Sequence, residues 1–199
     1  MELLLVRHGE PERIVEADGP ADPPLQPRGR EQAERLAAWL VPERLDAVWS
    51  SPLRRALETA EPVARAHGIE VVVDDELAEF DREATSYIPY EELKATRDER
   101  FLAMVEGRLD DYTVDPATFQ AGVVAAVERI IETNPGRVVA VVCHGGVINA
   151  YIGHVLGISR ILWFLPGYTS ISRVIAARTG ERSVATLNEG GHLRDLQVT

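Results

Sequence analysis

This chain has little of several things, and each shortage narrows what it can be. Cys143 is its one cysteine, so no internal disulfide can form and a reducing, cytoplasmic setting is the expectation. Its 21 basic side chains are outnumbered by 32 acidic ones, for a formal net charge of −11. That balance speaks against nucleic acid and against an anionic membrane surface, since both are bound through basic patches. An anionic small molecule stays open, because screening over about 8 Å at physiological salt lets a few arginines govern a pocket. No run approaches the ~20 apolar residues that a membrane span needs. The first apolar run, Leu3-Leu4-Leu5-Val6, is too short for a signal peptide and polar residues follow at once; removing a leader of that kind would also remove Arg7 and His8. Low-complexity tracts and internal repeats are missing. So are His-Glu-x-x-His, paired cysteines and closely spaced histidines, which leaves no expected metal site. There is no Walker A loop, no dinucleotide fingerprint and no Gly-x-Ser-x-Gly elbow.

What remains is an alternation of strand and helix signals over 199 residues, a length that suits one domain with a substantial core. Glu2 to Val6 reads as strand, and Arg28 to Leu40 as helix, with Ala33, Leu36, Ala37 and Leu40 on one face. Leu45 to Trp49 reads as strand; Ser51-Pro52 then predicts an N-cap and first-turn proline for a helix carrying Leu53, Leu57, Ala60 and Ala64 inward. Glu70 to Val73 is a further strand. Asp115-Pro116 opens a long helix with Phe119, Val123, Ala126, Val127 and Ile130 inward, closed by Asn134-Pro135-Gly136. Arg137 to Val142 is the next strand and Val147 to Leu156 the next helix. Ser170 to Ala177 and Ser183 to Leu187 read as a closing pair of strands. The pattern predicts an α/β protein with a mostly parallel sheet between two helical layers. From about Ala78 to Val114 the signal is weaker, with one helix expected between Glu91 and Glu106. That stretch is read as a lid or specificity insertion, with a solvated helical excursion as the plain alternative.

Two of the apolar runs end alike, one in Arg7-His8-Gly9-Glu10 and one in Cys143-His144-Gly145-Gly146. In a parallel sheet, ligands bind beyond the carboxyl ends of the strands, so both histidines and Ser50-Ser51 are expected on one rim. Two facing imidazoles suit phosphoryl transfer, His8 attacking and His144 stabilising charge. For attack, one ring nitrogen of His8 must be unprotonated, so the other should donate to a fixed acceptor. Arg7 can grip phosphate oxygens through its planar fork. Arg54 and Arg55 are two cations in a first helical turn, an arrangement that opposes the macrodipole by about 0.3–1 kcal/mol each. A bound anion would offset this, or Glu58 could pair with both; the expectation is one arginine in the pocket and one solvated beside Glu58. Glu79 leads as proton donor, with Asp81 a competitor and Glu10 a weaker one. Cys143, ending a valine run, is expected to be a buried inert thiol. His154 reads as a core or rim residue, His67 as a helix C-terminal cation, and His192, after Gly190-Gly191, as a residue that could border the pocket or stand clear of it.

Together these pieces resemble the histidine phosphatase superfamily, the phosphoglycerate-mutase-like proteins. The matching segments are Leu4 through Glu10; Leu25 through Ala33; Ser50-Ser51-Pro52-Leu53-Arg54-Arg55-Ala56-Leu57-Glu58-Thr59-Ala60; Glu79; Val141 through Val147; Thr169 through Ser172; and Leu187 through Leu193. The resemblance implies a three-layer α/β/α domain over residues 1–199 and a phosphohistidine on His8. It implies a phosphate pocket of Arg7, Arg55 and His144, with Glu79 as donor and then acceptor of a proton. Arg55 is chosen over Arg54 because it directly precedes the alanine of the motif. No metal and no organic cofactor is implied. The chain departs from the family at Pro11-Glu12-Arg13, at Asp81-Arg82-Glu83-Ala84 and at Tyr168, all in places that would set specificity. Gly9, Arg13, Arg82, Gly145 and Tyr168 are therefore the expected substrate-binding residues, with Tyr87 and Tyr90 as further lining. The activity implied is hydrolysis of a small phosphate ester by a monomer or homodimer. The alternatives are a mutase, or a non-catalytic phosphate-binding protein on the same fold.

Overall fold

The continuous apolar run of β1 (Glu2–Arg7) accounts for its place inside the sheet, with Leu3, Leu4, Leu5 and Val6 all fully buried. The computed structural model describes residues 1–109, 112 and 114–196. The remaining strands are β2 (Ala47–Ser50), β3 (Val71–Val73), β4 (Val138–Cys143), β5 (Ile171–Ala176) and β6 (Arg182–Glu189). Among the described residues these make one sheet in the order β3-β2-β4-β1-β5-β6. The first four strands of the chain run parallel to one another, and β5 and β6 add an antiparallel edge. The helices are α1 (Pro27–Leu40), α2 (Arg54–His67), α3 (Tyr90–Thr96), α4 (Glu99–Val105), α5 (Pro116–Thr133) and α6 (Gly145–Leu156).

Strand alternation separates the two helical layers. Leu3, Leu5, Val139, Val141 and Cys143 face Val127 and Ile130 of α5 and Val147 and Tyr151 of α6. Leu4, Val6, Ala140 and Val142 face Leu36 and Leu40 of α1 and Ala60 and Val63 of α2. Each such buried leucine or valine contributes about 1.5–3 kcal/mol, so the parallel strands are held from both sides. Residues after β3 add a third, smaller cluster: Phe80, Leu93, Met104 and Leu109 pack with Ile161 and Leu162 beyond α6. This part of the insertion is thus packed against the domain. Asp110, Asp111 and Thr113 of the insertion lie outside the described residues.

Three local expectations are corrected. Ser51 does not cap α2, which begins at Arg54; the first amide is capped instead by Asp22 Oδ1, 2.9 Å from Arg54 N. Ser51 Oγ is engaged elsewhere, as described below. In place of one helix between Glu91 and Glu106 there are two, parted at Arg97 in the left-handed region (φ 54°), whose N–H closes α3 on the Leu93 and Lys94 carbonyls. His154 is neither core nor rim, being exposed in the last turn of α6.

Candidate active site

The ladder register places the two histidines. Arg7 of β1 is opposite Cys143 of the parallel neighbour β4, so His8 and His144 leave adjacent strands side by side. Their ring centroids are 5.1 Å apart at an interplanar angle of 56°. Ser50 of β2 is opposite Val142 on the other flank of β4, which brings Ser51 to the same rim. Ser51 Oγ lies 2.7 Å from His144 Nε2.

His8 is only 3 % exposed, and its Nδ1 is 2.7 Å from the carbonyl oxygen of Gly9. A carbonyl can only accept, so Nδ1 carries the ring proton and Nε2 keeps its lone pair. Burial, and then the charges of Arg55 and Arg7, push the imidazole well below its ordinary pKa and outweigh the opposing bond to Gly9. The Gly9 N–H donates to Thr59 Oγ1 (2.9 Å), whose hydroxyl donates to the Arg55 carbonyl (2.7 Å). Thr59 thereby ties the His8 loop to the helix that carries Arg55. Gly9 is needed for close approach: a Cβ there would stand 2.7 Å from the Gly29 carbonyl oxygen of α1.

Both expected phosphate-binding arginines are interior, Arg7 at 2 % and Arg55 at 1 % exposure. Arg55 Nη2 donates to Asp81 Oδ1 at 2.9 Å, and its Cζ lies 4.5 Å from the Tyr87 ring centroid. Arg7 Nη1 donates to Glu91 Oε1 and to the Pro166 carbonyl, both at 2.7 Å. Its Cζ sits 4.0 Å from the ring centre of Tyr168 and 5.7 Å from that of Tyr90. Arg54 points outward and donates to Glu58 Oε1 at 2.7 Å. Among the described residues, Arg7 Nε, Arg55 Nε and Nη1, and His144 Nδ1 are buried without a hydrogen-bond partner. A buried unpaired donor costs about 1–3 kcal/mol, so these nitrogens around His8 together favour an anion.

Of the acids, Glu79 is buried at the same rim. Its Oε2 accepts the Gly146 N–H at 2.7 Å and its Oε1 the Phe80 N–H at 3.2 Å. Only glycine fits at 146, because a Cβ there would be 2.2 Å from Glu79 Oε1. Burial first, and the charge of Asp81 next, push the Glu79 carboxyl up to about 8 against the pull of those amides and Arg55. It therefore holds a proton at neutral pH. Asp81 serves Arg55 as its counter-charge. Glu10 lies 3.6 Å from Arg28.

Tyr168 joins the cluster, its ring centroid 5.9 Å from that of His8 and its hydroxyl donating to Glu91 Oε2 at 2.6 Å. The next residue, Thr169, has φ of 52°, a strained value for a β-branched side chain. Its Oγ1 is 3.0 Å from His192 Nε2, and the His192 ring is tilted beside Trp39 with centroids 6.2 Å apart, so His192 ties the residue after Tyr168 to the α1 side of the fold. Gly145 lets Tyr90 close down, since a Cβ would meet Tyr90 Cε2 at 3.2 Å. Arg13 and Arg82 are not brought into the cluster. Arg13 is exposed and pairs with Glu92 at 3.0 Å; Arg82 is exposed, with Nη1 on the Asp75 carbonyl and Nε 3.3 Å from Glu83. Cys143 is buried, which pushes its thiol pKa up. Sequence reasoning passed over Ser51 and Thr59 as chemistry, although both stand in the quoted motif. It also passed over Glu91, one acid among many.

Among the described residues no group of three or more His, Cys, Asp or Glu side chains is placed to hold a metal ion. Among those residues, too, no helix is long and apolar enough to cross a membrane. The sequence profile described as the histidine phosphatase superfamily (branch 1) matches residues 3–189. Phosphoserine phosphatase 1 of Hydrogenobacter thermophilus is 30% identical, over 100% of this chain and 97% of its own length. Phosphoglycerate mutase-like protein 4 of Arabidopsis thaliana is 34% identical, over 75% of this chain and 68% of its own. A variant phosphoserine phosphatase from Entamoeba histolytica, solved in complex with phosphoserine, superposes with a TM-score of 0.77 at 26% identity. That match covers 96% of this chain and 98% of the other.

Proposed function

The chain belongs to the histidine phosphatase superfamily (branch 1), and on that footing we propose that it is a phosphatase of small phosphorylated metabolites working through a phosphohistidine on His8. The observation that carries this is the ring of buried nitrogens, on Arg7, Arg55 and His144, left unpartnered among the described residues around a neutral imidazole.

The His8 Nε2 lone pair attacks phosphorus as the ester P–O bond breaks. Negative charge on the phosphoryl oxygens is met by Arg7 Nε, by Arg55 Nε and Nη1, and by a proton on His144 Nδ1. The Glu79 carboxyl, protonated at neutral pH, gives its proton to the departing alkoxide. Water then attacks phosphorus, Glu79 takes a proton from it, and the P–N bond breaks to return neutral His8 and inorganic phosphate. Asp81 supports the step indirectly: it holds Arg55 in place, and its charge keeps the Glu79 proton on. The aromatic rings of Tyr87, Tyr90 and Tyr168 exclude water from the two guanidiniums, which strengthens their hold on an anion. Support for a cytoplasmic setting comes from the lone buried cysteine, and a monomer or homodimer is the proposed assembly.

The test is to incubate the protein with labelled phosphate esters, quench at short times and follow acid-labile label on the chain alongside free phosphate. Transient label with continued phosphate release is the expected result. Label discharged only to a phosphoglycerate acceptor would make the protein a mutase. No label at all would leave a binding protein.

A further inference from the structure

Glu91 brings a carboxylate from α3 onto the guanidinium that the proposed chemistry assigns to phosphate. It does so on one edge only. Glu91 Oε1 meets Arg7 Nη1 at 2.7 Å and Oε2 lies 3.4 Å from Nη2, while the second Nη1 hydrogen goes to the Pro166 carbonyl. Arg7 Nε is left over, buried and without a partner among the described residues. The fork is thus divided between two anions, Glu91 on the Nη edge and a phosphoryl oxygen on the Nε side, so Glu91 can stay in place during turnover.

The Tyr168 hydroxyl fixes Glu91 Oε2 at 2.6 Å, so the negative charge is held rather than free to swing away. Partial burial pushes the Glu91 carboxyl up, but the charge of Arg7 together with the hydrogen bonds from Arg7 and Tyr168 outweighs it and holds the carboxyl below its ordinary pKa. The Glu91 side chain remains 51% exposed and lines a cavity of about 350 Å³ with Glu10, Arg28, Tyr168 and Asn188. The Arg28 cation there is already shared with Glu10 at 3.6 Å and the Leu196 carbonyl at 2.8 Å. Once a phosphoryl group also draws on Arg7, among the described residues lining this cavity the two carboxylates Glu10 and Glu91 face the single cation Arg28, and the cavity carries net negative charge.

We propose that Glu91 is a specificity-determining residue, selecting phosphate esters whose alcohol portion carries an ammonium group and turning away those that carry a carboxylate. This rests on the phosphatase reading above. At an effective dielectric of about 20, a fixed charge on the order of 10 Å from a charge on the alcohol portion changes such a preference by on the order of tenfold.

The experiment measures kcat/KM for O-phosphoethanolamine, 3-phosphoglycerate and p-nitrophenyl phosphate with wild type, Glu91→Gln and Glu91→Asp. Wild type is expected to prefer phosphoethanolamine over phosphoglycerate. Glu91→Gln should shrink that ratio by about tenfold, and Glu91→Asp should restore most of it. A ratio that moves by less than about twofold in Glu91→Gln, while p-nitrophenyl phosphate is still hydrolysed, overturns the selectivity and leaves the phosphatase reading intact. Failure of wild type to hydrolyse any of the three esters overturns the phosphatase reading, and this inference with it.

Discussion

Ser51 Oγ accepts the Leu53 N–H at 3.2 Å and stands 2.7 Å from His144 Nε2. With the amide on one of its lone pairs, the serine has its own hydroxyl proton to give, and Nε2 is the acceptor in reach. When the serine gives that proton to Nε2, the His144 ring proton sits on Nδ1, the buried atom that can then donate to a phosphoryl oxygen. Ser51 is therefore a positioning residue. Ser51→Ala should lower kcat by about fivefold with a smaller change in KM, in keeping with the ~1 kcal/mol worth of a net hydrogen bond, and Ser51→Thr should recover it. Steady-state kinetics with all three proteins checks this; a Ser51→Ala enzyme as fast as wild type would remove the role.

Protonated Glu79 makes catalysis sensitive to base. With its carboxyl pushed up to about 8, kcat for alkyl phosphates should fall as pH rises past that value. For p-nitrophenyl phosphate, whose leaving group needs no proton, it should not. Glu79→Gln should flatten the alkyl phosphate profile at a low rate. Equal losses on both ester types would move the acid role to another residue.

The same proton bears on stability. Unfolded, the carboxyl titrates near 4.5; folded, near 8. Between those values the folded state binds the extra proton, so stability is full below about 4.5 and declines as pH rises to about 8. Glu79→Gln should remove this decline. Urea midpoints at pH 5 and pH 9 should show the variant gaining on wild type by on the order of 1 kcal/mol or more at the higher pH.

His8 should be neutral well below its ordinary pKa. Burial is the main cause and the charge of Arg55 the next, so the acid limb of kcat/KM is expected below pH 6.5. Arg55→Met should shift the His8 ring titration upward. NMR of the His8 C2 proton reads this without needing turnover, and an unmoved titration would show that Arg55 does not act on the ring.

Gly29→Ala should destabilise the protein by about 1–3 kcal/mol, the usual range for overpacking. Its Cβ would stand 2.0 Å from the Glu10 carbonyl oxygen, with no flexible side chain to give way. Gly19→Ala is the control, because nothing lies within 4 Å of a Cβ there. Thermal melts of the two variants should separate clearly.

Much of this was readable in one dimension. The Leu3–Val6 and Val138–Cys143 runs predicted two buried strands, and the Arg7-His8 and His144 endings predicted the shared rim; that the two strands pair directly is seen only in the fold. Less was readable in the insertion. The break at Arg97 between α3 and α4 has no glycine or proline to announce it. Arg13 and Arg82 look like pocket residues from their places in the chain, yet Glu92, Glu83 and the Asp75 carbonyl hold them at the surface. The start of α2 lies at Arg54, where the first amide is held by Asp22, a residue 32 positions away that no local pattern could supply.

Local pattern alone sets which segments are strands and helices, which faces are apolar, and which loops carry imidazoles, because side-chain alternation and helical spacing are properties of neighbouring residues. Tertiary packing decides what those loops meet: that Glu91 lies on Arg7, that Asp81 serves Arg55 and leaves Glu79 protonated, and that Thr59 anchors Gly9. Those outcomes depend on distances between groups far apart in the chain, and on burial that amplifies each charge, neither of which any short window of residues contains.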